Sequence, residues 1–255
     1  MNTTPLISVI TVTYNAAATL PATMQSMQQQ QCSDFEHIII DGASTDATLA
    51  LARRYSTPSL RILSEPDKGL YDAMNKGLRM ARGKYIIFLN AGDRFATNAT
   101  LRRYALAAEK DPDIIYGDTV VVDAAGTLLR PRHLSAPKVL TAQSFSAGML
   151  VCHQAFMVRK DLAPEYNTDY RWSSDYDWCV QCLKKTEPGK CENLRCVTIH
   201  YLDGGLTGAH KLSSLRERFS IMAAHYGLLP TIGRHIGFVF RAFKRRRNRS
   251  IITND

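Results

Sequence analysis

Apolar stretches that favour strands alternate with stretches of helical pattern through the first part of the chain. Residues 6–14 are rich in β-branched side chains and 17–30 have helical spacing, then 35–40 again favour a strand and 46–55 a helix. A chain of 255 residues can bury one full core. The alternation therefore predicts one α/β domain, with mostly parallel strands and helices flanking the sheet.

The same alternation continues with a short strand near 61–63 and a helix over 69–82. Gly83 is predicted as the cap that ends this helix, since glycine readily takes the backbone conformation found there. A buried strand follows over 85–89.

The second half of the chain departs from this rhythm. Residues 119–123 and 127–130 flank a turn of alanine and glycine, as in a hairpin. The sheet is therefore expected to become mixed here. The remaining pattern predicts a helix over 174–185, a strand over 194–201 and a helical region over 213–243 that breaks at Pro230.

Polar residues follow directly after the predicted strands. Thr13 and Asn15 close the first, Asp41 closes the second, and Asn90 and Asp93 follow the fourth. Ligands of open parallel sheets bind beyond the carboxyl ends of the strands, where these side chains should meet. Carboxylates there suit a nucleotide held with a divalent cation, although a single Asp after a strand is more often a helix cap or a turn residue.

Several other functional patterns are disfavoured. No G-x-G-x-x-G follows the first strand and no G-x-x-x-x-G-K-[ST] occurs, which argues against a dinucleotide-binding dehydrogenase and a P-loop enzyme. No Ser or Cys lies in a nucleophile-elbow pattern, so a covalent hydrolase is disfavoured. Zinc would need Cys179, Cys182, Cys191 and Cys196, but their spacing is poor for a known site and thiols in a helix usually pack in the core.

Four motifs occur together in one order. In Thr11–Asn15, Asp41–Asp46, Glu65–Gly77 and Asn90–Asp93 the chain resembles the inverting family 2 glycosyltransferases of the GT-A fold. The likeness runs from about residue 6 to residue 207. The last two motifs are most similar to enzymes of bacterial exopolysaccharide assembly, of the colanic-acid type.

The resemblance implies a donor site for a nucleotide sugar in the first half of the chain. The implied donor-side residues are Thr13 and Asn15 at the nucleotide edge, Asp41 near the base, Asp67, Asn75 and Lys76 around uridine and ribose, and Asn90 and Gly92 in the last motif. Asp93 is implied as the ligand of a divalent cation, Mg²⁺ or Mn²⁺.

The metal-binding motif has fewer acidic residues here than in the family. This chain keeps Asp93 and has Asn90 where the first acid normally stands. Mg²⁺ commonly uses one or two protein carboxylates and takes its other ligands from phosphates and water. We therefore expect the cation to bind together with the donor.

The resemblance also implies a catalytic base and an acceptor side. An inverting transfer needs a base that faces the acceptor hydroxyl, and Asp175 matches the family's acid at the start of a helix. A plain helix cap would look the same. Asp177 is the second candidate, although it points elsewhere if the segment is helical. His153 and Gln154 match the acceptor-side strand, with a core histidine as the alternative.

Positive charge is concentrated near the end of the sequence. The formal net charge is +9, and six cations without an acid lie within 241–249. Such a run attracts polyanions, which leaves an anionic membrane surface, nucleic acid and a merely solvated tail open. Nucleic acid is not expected, because no aromatic and basic stacking surface accompanies the run. Residues 213–243 mix apolar side chains with cations, as in an amphipathic surface helix or a helix packed on the core.

The sequence begins without the pattern of a signal peptide, and its last third has no stretch of about 20 apolar residues. We therefore expect a cytoplasmic protein, either cytosolic or peripheral at the inner face of the plasma membrane. The expected GT-A catalytic domain covers 1–210, with a nucleotide-sugar-binding half to about 118 and an acceptor-binding half over 119–210. Helices and the basic tail follow over 211–255.

These expectations combine into one hypothesis. The chain would move a hexose from a nucleotide sugar, a UDP-sugar by preference, to a free or lipid-linked saccharide during assembly of bacterial surface polysaccharide. The alternative is a catalytically weak nucleotide-sugar-binding protein of the same fold. A basic nucleic-acid-binding protein is a lower alternative.

Overall fold

A computed structural model describes residues 4–55, 57–204 and 211–237. Within these residues nine strands form one sheet. The strands are β1 (Ile7–Thr13), β2 (Phe35–Asp41), β3 (Leu60–Ser64), β4 (Tyr85–Phe88), β5 (Arg94–Phe95), β6 (Ile114–Val122), β7 (Leu128–Pro131), β8 (Phe156–Arg159) and β9 (Cys191–Leu202). The helices are α1 (Leu20–Gln28), α2 (Thr48–Arg54), α3 (Leu70–Met80), α4 (Thr100–Ala108), α5 (Ser174–Lys185) and α6 (Lys211–Tyr226). Residues 228–237, called here the C-terminal helix, are also helical.

The strand order is β3-β2-β1-β4-β8-β6-β9-β5, and β7 pairs with β6. β1 is parallel to both β2 and β4, and β2 is parallel to β3. β8 lies antiparallel between β4 and β6, so β6 and its parallel neighbour β9 run in the direction of β1. This confirms an α/β fold whose sheet is parallel in the first half and mixed in the second.

The strand register brings the polar strand ends to one edge of the sheet. Thr13 pairs with Asp41, and Asp41 pairs with Ser64. The backbone N–H of Leu89 donates to Ile10 in β1, so the turn after β4 begins at this edge as well. These strand ends thus meet at the edge of the sheet where the sequence predicts the ligand crevice.

Aromatic packing fixes α5 against the sheet beneath this crevice. Tyr166 stacks on Trp178 with their ring centroids 5.0 Å apart, and Phe88 of β4 contacts both rings edge-on. Cys179 and Cys182 are fully buried in the same helix, and burial raises the pKa of each thiol. These two cysteines are core residues.

The end of α3 differs from its prediction. The helix stops at Met80, and Ala81 is extended, so Gly83 is not the cap. A Cβ at Gly83 would lie 2.6 Å from the backbone nitrogen of Ser8, and the Gly83 N–H donates to the Ser8 hydroxyl at 2.8 Å. Glycine is required here because the chain passes close to β1.

The break in the last helical region lies at Gly227 and not at Pro230. Gly227 has a φ of 90°, which ends α6 before the C-terminal helix begins. Pro230 lies in the first turn of that helix, where its missing N–H costs no intrahelical bond. Residues 238–243 of the predicted region lie outside the described residues. No helix in the described part of the chain is long and apolar enough to cross a membrane.

Candidate active site

Asp41 joins the ends of three parallel strands. Its carboxylate accepts hydrogen bonds from the hydroxyls of Thr13, Ser44 and Ser64 at 3.1, 2.5 and 2.7 Å, and from the Ser44 N–H at 3.0 Å. Burial would raise the pKa of this fully buried group, but the donors of Ser44, Ser64 and Thr13 outweigh it and hold the pKa below its usual value. Asp41 thus holds together the loops at this edge of the sheet from beneath.

Tyr14, Asn15 and Asp67 lie at the rim next to this carboxylate, and Tyr14 is 68 % exposed. A Cβ on Gly42 would lie 3.4 Å from the Tyr14 ring and would collide with the Asp67 carboxylate, so glycine brings both side chains close. Asn15 accepts the N–H of Thr45 at 2.9 Å. The rim offers an aromatic face beside polar groups, which suits a nucleoside. Sequence reasoning missed Tyr14, although it lies within the first motif.

Two predicted donor residues on α3 are engaged elsewhere. The Asn75 amide donates to the carbonyl of Tyr166 at 2.9 Å and accepts the Tyr166 N–H at 2.7 Å, and Asn75 is only 4 % exposed. The Lys76 ammonium lies 2.6 Å from the Pro66 carbonyl and 3.0 Å from the Glu65 carboxylate. Asn75 therefore holds the backbone at Tyr166 in place, and Lys76 holds the loop after β3. These contacts do not support the predicted placement of Asn75 against ribose.

The turn after β4 packs tightly against the end of β9. Gly92 has a φ of 104°, and a Cβ there would lie 2.6 Å from the Leu202 side chain. Asp93 accepts the Leu202 N–H at 3.0 Å and the Gln154 amide at 2.9 Å. Burial raises the pKa of Asp93 to about 6, because these two hydrogen bonds offset only part of the lost hydration.

Contacts through His153 connect Asp175 to the same turn. His153 Nδ1 lies 3.4 Å from Asp175 Oδ2, and His153 Nε2 lies 3.3 Å from the amide nitrogen of Asn90. His153 thus links Asp175 to the turn after β4. The Tyr71 hydroxyl donates to the other Asp175 oxygen at 3.4 Å. The Asn90 amide oxygen is buried and has no hydrogen-bond partner among the described residues.

The surroundings of Asp175 favour its charged form. Burial alone would raise its pKa, but the hydrogen bond and charge of His153, the charge of Arg218 and the Tyr176 N–H outweigh it, and the pKa lies below its usual value. The side chain remains 21 % exposed at the first turn of α5. An ionised and accessible carboxylate can accept a proton from a bound hydroxyl.

Asp177 points away from this group. Its carboxylate accepts the Gln181 amide at 2.6 Å and lies 2.6 Å from His225 Nε2. The Asp177 side chain is 8 % exposed, so it joins α5 to α6 and has little access to a ligand. Of the two candidate bases, only Asp175 contacts the crevice residues.

The structure therefore brings five of the predicted site residues together, namely Asn90, Asp93, His153, Gln154 and Asp175. No group of three or more His, Cys, Asp or Glu side chains that could hold a metal occurs in the described ranges. Asp93 and the unpaired amide oxygen of Asn90 fit a divalent cation only when a donor diphosphate and water supply the remaining ligands.

This sheet, with acids and polar side chains at the carboxyl ends of its strands, has the arrangement in which open α/β folds bind nucleotide ligands. The chain belongs to glycosyl transferase family 2, whose model matches residues 8–166. A PGL/p-HBAD biosynthesis glycosyltransferase of Mycobacterium bovis is 34 % identical over 187 residues, which cover 70 % of each chain. The family assignment shows that the protein is an enzyme of the glycosyltransferase class.

Solved structures share the fold at low sequence identity. Residues 1–349 of Staphylococcus aureus TarS, in complex with UDP-GlcNAc, match with a TM-score of 0.71 and 16 % identity, covering 91 % of this chain and 73 % of that one. The mannosyltransferase PcManGT of Pyrobaculum calidifontis, in complex with GDP-Man and Mn²⁺, matches with a TM-score of 0.61 and 15 % identity, covering 91 % and 74 %.

Proposed function

We propose that the chain transfers a hexose from a UDP-sugar to a saccharide hydroxyl in one displacement that inverts the anomeric carbon. The observation that carries this proposal is the link between Asp175 and Asp93 through the adjacent residues His153 and Gln154. In this proposal the base, Asp175, and the acid on the diphosphate side, Asp93, face one crevice. Asp175 takes the proton of the acceptor hydroxyl as the hydroxyl oxygen attacks and UDP leaves.

The two halves of the domain have different roles in this proposal. Residues 1–118 bind the donor, with Tyr14, Asn15 and Asp67 around the nucleoside. Residues 119–210 bind the acceptor, and His153 orients Asp175. The UDP-GlcNAc bound by the TarS neighbour supports a UDP-sugar as donor. The acceptor is a surface saccharide, free or lipid-linked, and the enzyme works at the inner face of the plasma membrane.

Asp93 is the carboxylate that would hold Mg²⁺ or Mn²⁺, with the Asn90 amide oxygen in the same turn. A divalent cation supplies charge neutralisation for a diphosphate leaving group. The Mn²⁺ in the PcManGT complex supports this cofactor.

Metal dependence should appear in donor binding itself. We expect chelation by EDTA to weaken UDP binding by the unaltered protein about tenfold or more, since Mg²⁺ and Mn²⁺ bridge phosphates to carboxylates. The Asp93→Asn variant should bind UDP weakly and to the same extent with Mn²⁺ or EDTA. Isothermal titration calorimetry measures both affinities. A variant that keeps the full Mn²⁺ effect would contradict Asp93 as the ligand.

The contact between His153 and Asp175 predicts a shift in the pH profile. Removing the charge of His153 should raise the pKa of Asp175, so Asp175 would become protonated, and lose its function as a base, at a higher pH. In the His153→Gln variant the acidic limb of kcat/KM should therefore move to higher pH. His225→Gln, next to Asp177, is the matched control and should leave that limb in place. An unmoved limb in His153→Gln would refute the contact's role.

The function as a whole is tested by donor turnover. The protein is incubated with UDP-glucose, UDP-galactose, UDP-GlcNAc or GDP-mannose, with Mn²⁺ and a panel of oligosaccharides. UDP release and a product of inverted anomeric configuration by NMR would support the proposal. Tight donor binding without transfer would instead favour the alternative of a catalytically weak nucleotide-sugar-binding protein. Salt-sensitive nucleic-acid affinity without donor binding would favour the nucleic-acid alternative.

A further inference from the structure

The C-terminal helix carries apolar side chains on its solvent side. Leu228, Leu229, Ile232 and Ile236 are 56, 81, 41 and 53 % exposed. With about 3.6 residues per turn, these four positions fall within an arc of roughly 100° on one side of the helix. They form a continuous stripe, which we call the apolar stripe.

An adjacent side of the same helix packs on the protein through polar residues. Thr231 is 1 % exposed, and its hydroxyl donates to the Gly227 carbonyl at 2.8 Å. The His235 ring packs edge-on against Phe219 of α6, with the ring centroids 4.9 Å apart. A helix that packs on a core normally buries its apolar side, so this helix has the reverse orientation. An exposed stripe of this kind marks a contact surface.

The fold itself holds the helix in this orientation. Gly227 has a φ of 90° and its N–H donates to the Ala223 carbonyl at 2.9 Å, which closes α6 and sets the direction of the next helix. The Tyr226 hydroxyl donates to the Ala142 carbonyl at 2.7 Å. His225 and Asp177 anchor the same turn to α5. The stripe is therefore presented by a fixed part of the protein.

The charges near the stripe identify its occupant. Arg234 is exposed on the same helix. The sequence that follows, outside the described residues, has six cations and no acid over 241–249. Exposed apolar side chains followed along the sequence by a run of cations match the chemistry of an anionic lipid surface, which takes apolar groups at the acyl boundary and attracts nearby cations.

We propose that the C-terminal helix docks on an anionic lipid surface through Leu228, Leu229, Ile232 and Ile236. The helix lies along the surface with its polar side on the catalytic domain. This contact supplies the surface for the peripheral location proposed above, and it does not depend on the transfer reaction. Docking at this site would hold the crevice near a lipid-linked acceptor.

Vesicle sedimentation of the full chain tests the inference. We expect binding to vesicles of phosphatidylcholine with about 30 % phosphatidylglycerol, weak binding to phosphatidylcholine alone, and release at high salt. The combined Leu229→Ser, Ile232→Ser and Ile236→Ser variant should bind about tenfold more weakly or worse, because apolar burial is lost. Its thermal midpoint and UDP affinity should be unchanged, since the three side chains are exposed.

The matched control removes exposed apolar side chains elsewhere. Leu106 and Leu128 are 53 and 61 % exposed, and the Leu106→Ser, Leu128→Ser variant should bind the anionic vesicles like the unaltered protein. Equal binding by the stripe variant, or no vesicle binding by the unaltered protein, would overturn the inference. So would a dimer in lipid-free buffer that the stripe substitutions convert to a monomer, because the stripe would then be an interface between two copies. UDP affinity, measured in parallel, separates these results from a failure of the proposed function.

Discussion

Replacing Asp175 with asparagine should slow glycosyl transfer by about 10²–10⁴-fold and leave the affinity for UDP unchanged. The amide keeps the size of the side chain but cannot take the proton of the acceptor hydroxyl. Donor binding should persist, because the contacts of Asp175 are with His153 and Tyr71 and not with the nucleoside rim. Initial rates of UDP release at saturating substrate and calorimetry with UDP measure the two quantities.

Asp177→Asn is the matched control, since it makes the same change two residues along α5. It should keep the rate of transfer and lower the free energy of unfolding by about 1–3 kcal/mol, because its buried contacts with Gln181 and His225 are weakened. Normal turnover by Asp175→Asn would remove the base assignment. An equal loss of rate in both variants would also contradict it, since the position of α5 would then be the common cause.

Asp41→Ala should lower the free energy of unfolding by about 3–4 kcal/mol and abolish measurable UDP binding. Hydrogen bonds to a charged group contribute about 1.5–3 kcal/mol each, and water reaching the loop should offset part of the sum. Without the carboxylate, Thr13, Ser44 and Ser64 lose the acceptor that holds three strand ends together. Urea unfolding and UDP calorimetry test the two losses.

Asp46→Ala provides the comparison for this second prediction. Asp46 is exposed on the same loop and accepts hydrogen bonds from Thr48 and from the Ala17 N–H. Because its carboxylate is exposed to water before α2 begins, its removal should lower the free energy of unfolding much less than the removal of Asp41. If Asp41→Ala lowered the free energy of unfolding as little and kept its UDP affinity, the buried carboxylate would not organise the proposed nucleotide-binding edge of the sheet.

The strand ends of the first half were predictable because each is a local feature of the sequence. An apolar run followed by a polar residue locates Thr13, Asp41 and Asn90 in turn, and the geometry of parallel strands places their ends at one edge. The helix that contains Asp175 was also predictable, because the residue pattern over 174–185 has helical spacing. Its spacing to Asp177 further implied that the two acids point in different directions, as they do.

The predictions failed or stopped where a partner is distant along the chain. Nothing near Asn75 shows that its amide would pair with Tyr166, which lies 91 residues away. Tyr71, 104 residues from Asp175, went unassigned for the same reason. Gly83 illustrates a related difficulty, because a glycine after a helix serves equally as a cap or as a point of close approach. Only the position of β1 decides between these roles.

A crystal structure of the protein with a non-transferable UDP-sugar analogue and Mn²⁺ tests the central claim most directly. We expect the uracil ring against Tyr14 and Asp67, the diphosphate beside the turn of Asn90 and Asp93, and the anomeric carbon facing Asp175 with room for one hydroxyl between them. A nucleotide bound away from this sheet edge, or a sugar whose anomeric carbon points away from Asp175, would contradict the account.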